Sequence, residues 1–130
     1  RDLGRETGTA TILITHDMGA VAEMAERMIV MYAGRKAEEG TVEQIIEHPR
    51  HPYTKGLISC VPHLVATLTD ERPELTEVRG IVPSLREFGR DTCLFASRCD
   101  RADEKCRSKR PQEMGFDGDQ WSACWHAEEL

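Results

Sequence analysis

Four cysteines lie near the end of the chain with the spacing Cys93-x5-Cys99-x6-Cys106-x17-Cys124. Thiolates are soft ligands, and four is the number that a tetrahedral zinc ion or a four-iron cluster requires. The spacing holds neither a Cys-x2-Cys knuckle nor a ferredoxin pattern, so reduced thiols packed beneath Phe95, Trp121 and Trp125 are the competing reading. A small tail poor in apolar residues has difficulty forming its own core, and a bound metal could supply folding energy directly. His126, two residues past Cys124, is a substitute ligand, whereas Cys60 stands apart and reads as a packed thiol. Five cysteines cannot all pair within one chain, and the charged opening Arg1–Glu6 is no secretion signal, so thiols or metal ligands are expected rather than disulfides.

The second candidate is His16. It follows Thr9-Ala10-Thr11-Ile12-Leu13-Ile14-Thr15, a β-branched, nearly continuous apolar run that reads as a strand buried on both faces of a parallel sheet. Ligands of open α/β sheets gather at the carboxyl ends of such strands, which is where His16 stands. The alternative is a histidine satisfied by local backbone. His48, His51 and His63 sit among prolines at spacings that place no two imidazoles on one helical face, so they are not read as a metal site.

The elements that must position these residues follow an α/β pattern. Asp17 is an N-cap candidate for a helix bearing Met18, Val21, Ala22, Ala25 and Met28 on one face. Met28–Tyr32 reads as a second strand, Ala33-Gly34-Arg35 as a turn, and Arg35–Glu39 as an edge strand. Thr41 and Gln44 match a capping box ahead of Ile45-Ile46, and Pro52 can open the next helix, on which Tyr53 and Leu57 face inward together. Asp70–Glu74 reads as a linker, and Gly80–Leu85 as a small apolar docking segment.

Composition narrows the function classes. The formal net charge of -6 counts against a general nucleic-acid binder, which is usually basic. Charged residues make up 31% of the chain and no apolar run approaches the ~20 residues of a spanning helix. The chain lacks an initiator methionine and reads as an excised segment.

The ordered motifs Ile12-Leu13-Ile14-Thr15-His16-Asp17, Arg27–Arg35, His51-Pro52-Tyr53-Thr54-Lys55-Gly56-Leu57, Gly80–Leu85 and Cys93–Cys99 together resemble the C-terminal part of ATP-binding-cassette (ABC) ATPases of the oligopeptide/dipeptide importer family. The family usually has an apolar pair at Lys36-Ala37 and often a proline at Asp100. The resemblance implies an α/β fold: residues 1–50 as the C-terminal fragment of a P-loop-type ATPase domain, 51–90 as a family-specific helix and linker, and 91–130 as an irregular cysteine-containing tail. It further implies that His16 contacts the ATP γ-phosphate, with Mg2+ held by the intact protein. It also implies that Cys93, Cys99, Cys106 and Cys124 can bind an iron–sulfur cluster, with zinc the second choice.

Partners implied are transmembrane permease subunits and a second ATP-binding subunit, without nucleic acid, at the cytoplasmic face of the cell membrane. The sequence holds no Gly-x4-Gly-Lys-Ser/Thr phosphate loop, no Leu-Ser-Gly-Gly-Gln signature and no strand ending in Asp-Glu, so by itself it is expected to be inactive. A stand-alone metal-binding or redox module built on the four cysteines is the alternative.

Overall fold

Asp17 caps the first helix as its sequence position requires: its Oδ1 accepts the Ala20 backbone N–H at 3.1 Å, ahead of α1 (Met18–Met24). The computed structural model describes residues 7–61, 78–84, 86 and 91–130. After α1 the chain forms a hairpin of β1 (Arg27–Tyr32) and β2 (Arg35–Thr41). Its two-residue turn places Ala33 at φ 46° and Gly34 at φ 75°. Positive φ at both central residues matches the right-handed twist of the flanking strands, and glycine adopts it without a Cβ penalty.

The capping box forms with both of its hydrogen bonds, Gln44 N–H to Thr41 Oγ1 at 3.2 Å and Thr41 N–H to Gln44 Oε1 at 2.9 Å. It opens α2 (Val42–Glu47), and Pro52 occupies the first turn of α3 (Pro52–Ser59). Later come the short α4 (Glu104–Ser108), β3 (Met114–Phe116) and β4 (Gln120–Ser122).

The sheet has four strands in the order β1-β2-β4-β3, with every pairing antiparallel. This differs from the sequence reading in three respects. The run Thr9–Thr15 is not a strand: it is irregular, with Ile12 89% and Ile14 94% exposed. A strand needs neighbours for its backbone hydrogen bonds, and no described strand lies beside it. The strand beginning at Arg35 is not an edge, because β4 pairs along its other side at Glu38↔Ser122 and Glu39↔Trp121. Finally, the tail is not wholly irregular, since β3 and β4 complete the sheet.

Strand alternation buries Met28, Val30 and Tyr32 and leaves Ile29 and Met31 outward. One core cluster joins Met28, Val30 and Ile45 with Met18, Val21, Tyr53 and Leu57, as the helical spacing of those residues anticipates. A second holds Tyr32, Ala37 and Phe95. Tyr53 reaches both, its ring 4.7 Å from Tyr32 and 5.5 Å from Phe95.

A bulge in β2 between the pairs Val30↔Glu38 and Met31↔Lys36 turns both Ala37 and Glu38 inward. Glu38 Oε1 accepts the Arg50 N–H at 2.6 Å and the Gln120 side chain at 3.0 Å. Gln120 also donates to His48 O, and Ser122 Oγ to Arg50 O. The carboxylate thus ties the 48–51 turn to the last strand. Burial is the largest influence on Glu38 and raises its pKa, against its hydrogen bonds.

The apolar segment near Gly80 is not docked: Ile81 is 89% exposed, while Arg98 secures the backbone just before it at Val78 O and Arg79 O. Leu85, His63 and the Asp70–Glu74 linker lie outside the described residues. Among the described residues no helix is long and apolar enough to cross a membrane.

Candidate metal centre

Cys93, Cys99 and Cys124 each begin a tight turn and Cys106 lies on α4, which is how a short segment brings distant thiols together. Cys93 O accepts the Ala96 N–H, Cys99 O the Ala102 N–H and Cys124 O the Ala127 N–H, while Cys93 N–H reaches across to Cys106 O at 3.0 Å. Asp103 caps α4 and orients Cys106, accepting its N–H at 2.8 Å. All four cysteines line one small cavity, closed on other sides by His51, Phe95, Trp125 and His126.

Burial raises the pKa of every one of them, Cys106 to about 11 and Cys124 to about 12. The Cys124 thiolate is further opposed by Cys93, Cys99 and Cys106, and that of Cys106 by Asp103. Thiols so placed stay neutral until a cation compensates them, and a soft metal ion supplies that compensation. Cys93, Cys99, Cys106 and Cys124 are free thiols, and Cys60 is the C-cap of α3.

Among the described residues the group whose ligand atoms all lie within 4.8 Å of one another is Asp103, Cys106 and His126. Cys106 thus belongs both to this group and to the lining of the cavity that the four cysteines share. Phe95 and Trp125 cover the cavity as the sequence suggested. Trp121 does not belong to its lining: its indole donates to Glu39 Oε2 at 3.1 Å and Lys36 lies 4.3 Å over its ring.

His51 is buried against this cavity. Its Nδ1 accepts the Tyr53 N–H at 3.1 Å as the cap of α3, and burial lowers its pKa to about 4, so the ring is neutral. The histidine spacing pointed away from a ligand role, and His51 is indeed engaged as a cap; its place beside the thiols comes from the packing of α3 on Phe95, with ring centroids 5.7 Å apart. Asp103 escaped the sequence reading altogether. The available signal was an aspartate three residues before a cysteine, the spacing of an N-cap.

His16 lies exposed in the irregular segment preceding α1, next to Thr15, whose Oγ1 accepts the Asp17 N–H at 3.0 Å. The structure does not bring it to the cysteine cavity, and the strand expected to carry it is not formed.

Comparison with known proteins extends these observations. Residues 37–106 match the model of the oligopeptide/dipeptide transporter, C-terminal region. The chain is 42% identical over 131 residues to a probable peptide ABC transporter ATP-binding protein of Sinorhizobium fredii, covering 99% of this chain and 37% of that protein. It is 43% identical over 126 residues to the dipeptide transport ATP-binding protein DppF of Haemophilus influenzae, covering 96% and 37%. It is 40% identical over 124 residues to the oligopeptide transport ATP-binding protein OppD of the same organism, covering 95% and 36%. The chain thus spans little more than a third of the length of these relatives. With more than half of its residues inside the matched region, the chain belongs to the oligopeptide/dipeptide transporter C-terminal region family.

Proposed function

We propose that this chain is the C-terminal part of an ATP-hydrolysing subunit that powers import of oligopeptides or dipeptides through an ABC transporter. The observation that carries the reading is the family match over residues 37–106, supported by ATP-binding relatives that align along nearly the whole chain. In the intact protein, ATP and Mg2+ are bound mainly by elements this sequence does not contain. The subunit works with transmembrane permease subunits and a second ATP-binding subunit at the cytoplasmic face of the membrane, and binds no nucleic acid. Residues 1–50 complete the nucleotide domain, 51–90 form a helix and linker, and 91–130 form the cysteine region.

His16 acts as a positioned donor toward the γ-phosphate, where charge develops during phosphoryl transfer. Its exposure leaves the imidazole open to a nucleotide held by other elements. In the full-length protein His16→Ala should preserve ATP binding and lower kcat by ~10²-fold or more, the usual cost of one such donor. Nucleotide affinity and steady-state hydrolysis measured on one preparation separate the effects, and unchanged hydrolysis refutes the role. The 130-residue chain alone should neither bind Mg-ATP with micromolar affinity nor hydrolyse it.

Cys93, Cys99, Cys106 and Cys124 jointly hold one iron–sulfur centre, with zinc the second choice. Four thiols lining one cavity, Cys106 and Cys124 of them buried, support this. When bound, the centre cross-links three turns of a tail that has little apolar core; Phe95 and Trp125 keep water from it. Anaerobic purification followed by iron, acid-labile sulfide and zinc analysis tests the assignment. Serine at any of the four positions should lower metal content, and serine at Cys60 should not.

A further inference from the structure

We propose that Asp103, Cys106 and His126 form a second, mixed-ligand site for one divalent metal ion of the zinc type. It shares Cys106 with the four-thiolate centre and otherwise stands independently of it, so the two cannot be filled together. In each of the three side chains, the structure holds the rest of the group and leaves one ligand atom for a cation. Asp103 Oδ1 is committed to the Cys106 N–H at 2.8 Å, which leaves Oδ2. His126 Nδ1 lies 3.4 Å from Glu129 Oε2, and Arg101 steadies that carboxylate at 3.8 Å.

A carboxylate on one imidazole nitrogen sets the tautomer that offers the other to a metal. That other nitrogen, Nε2, is buried without a hydrogen-bond partner and faces Asp103 Oδ2 at 3.4 Å. The two atoms face each other without a hydrogen bond between them, and a cation seated there would meet both. The Cys106 sulfur completes the group, all three ligand atoms lying within 4.8 Å of one another.

The chemistry favours zinc over the hard ions. Sulfur, imidazole nitrogen and one carboxylate oxygen suit a borderline-soft ion, and magnesium or calcium would take oxygen ligands instead. One thiolate and one carboxylate neutralise a divalent charge. Binding forms the metal–sulfur bond as Cys106 gives up its thiol proton to solvent, so one proton is released per ion bound. Three protein ligands leave one tetrahedral position for water.

The test is titration of reduced, metal-free, full-length protein with Zn2+, and with Co2+ as a spectroscopic probe, under anaerobic conditions. One ion should bind per chain, with the sulfur-to-cobalt absorption of a single thiolate and release of one proton. Asp103→Asn, which retains an N-cap, and His126→Gln should each weaken binding at least ~10-fold, the lower end of what a disrupted metal shell costs. Cys106→Ser should abolish it, while Cys60→Ser leaves it unchanged. The proposal is overturned if Cys93→Ser or Cys99→Ser weakens zinc binding while Asp103→Asn and His126→Gln do not. Absence of stoichiometric binding to the wild-type protein overturns it equally. Native iron and sulfide content, read separately, reports on the four-thiolate centre alone.

Discussion

Replacing Glu38 by alanine should separate the tail from the hairpin, and the size of the effect follows from what the carboxylate holds. The side chain is fully buried, and its Oε1 accepts two donors, Arg50 N–H and Gln120 Nε2–H. Alanine removes the acceptor from both. Gln120 retains His48 O, so Arg50 N–H is the donor left wholly unpaired. An orphaned buried donor costs about 1–3 kcal/mol, and the vacated side-chain volume adds to it; release of the buried charge offsets part. The expected net loss is about 2–4 kcal/mol, a large fraction of the 5–15 kcal/mol typical of a domain.

Glu38→Gln should cost much less. Because burial raises the Glu38 pKa, the fold favours the neutral carboxyl over the anion, and glutamine is its neutral likeness. Its amide nitrogen would replace Oε2 beside the buried Thr54 hydroxyl, which could accept from it. The sign with pH follows: above the folded-state pKa the burial cost of the anion is fully present. The cost is relieved as pH falls through that value toward 4.5. Urea denaturation at several pH values, with hydrogen exchange at the Arg50 amide, measures both effects. Glu38→Ala within ~0.5 kcal/mol of wild type, the range of an inconsequential surface change, with Arg50 still protected, would refute the reasoning.

Three further perturbations have defined outcomes. His51, neutral with a pKa near 4, binds fewer protons folded than unfolded, so its contribution is complete above about pH 6.5 and lost toward pH 4, about 3 kcal/mol in all. His51→Asn keeps a capping acceptor and should flatten that limb of the pH–stability curve. Thr41→Ala should cost about 1 kcal/mol through loss of the capping box, and Thr41→Ser little, as thermal melts can show. Gly56→Ala would bring a Cβ within 2.8 Å of Val78 Cγ2. It should destabilise despite alanine's better helix propensity, and a double-mutant cycle with Val78→Ala should show coupling of about 0.5 kcal/mol or more.

Local chemistry made several elements legible in the sequence. Asp17 and Thr41 with Gln44 each start a helix because a cap is satisfied within four residues of itself, and Pro52 opens α3 because its fixed φ suits the first turn. The helical spacing of Tyr53 and Leu57 identified a core face, and the four cysteines line one cavity. What lay beyond the sequence were relations between distant strands.

Apolar content marked Thr9–Thr15 as a strand, yet its hydrogen bonds depend on a neighbour that no described strand supplies. Strict alternation along Arg35–Glu39 would not bury both Ala37 and Glu38. The bulge does so, and β4 arriving from more than eighty residues away makes the bulged strand interior. Likewise Asp103 read as no more than a polar residue until the turn after Cys124 set His126 against it. Caps and periodicity act over one or two turns of chain and are written in consecutive residues; strand neighbours, buried carboxylates and convergent ligands depend on which distant segments pack together, and that the tertiary structure alone decided.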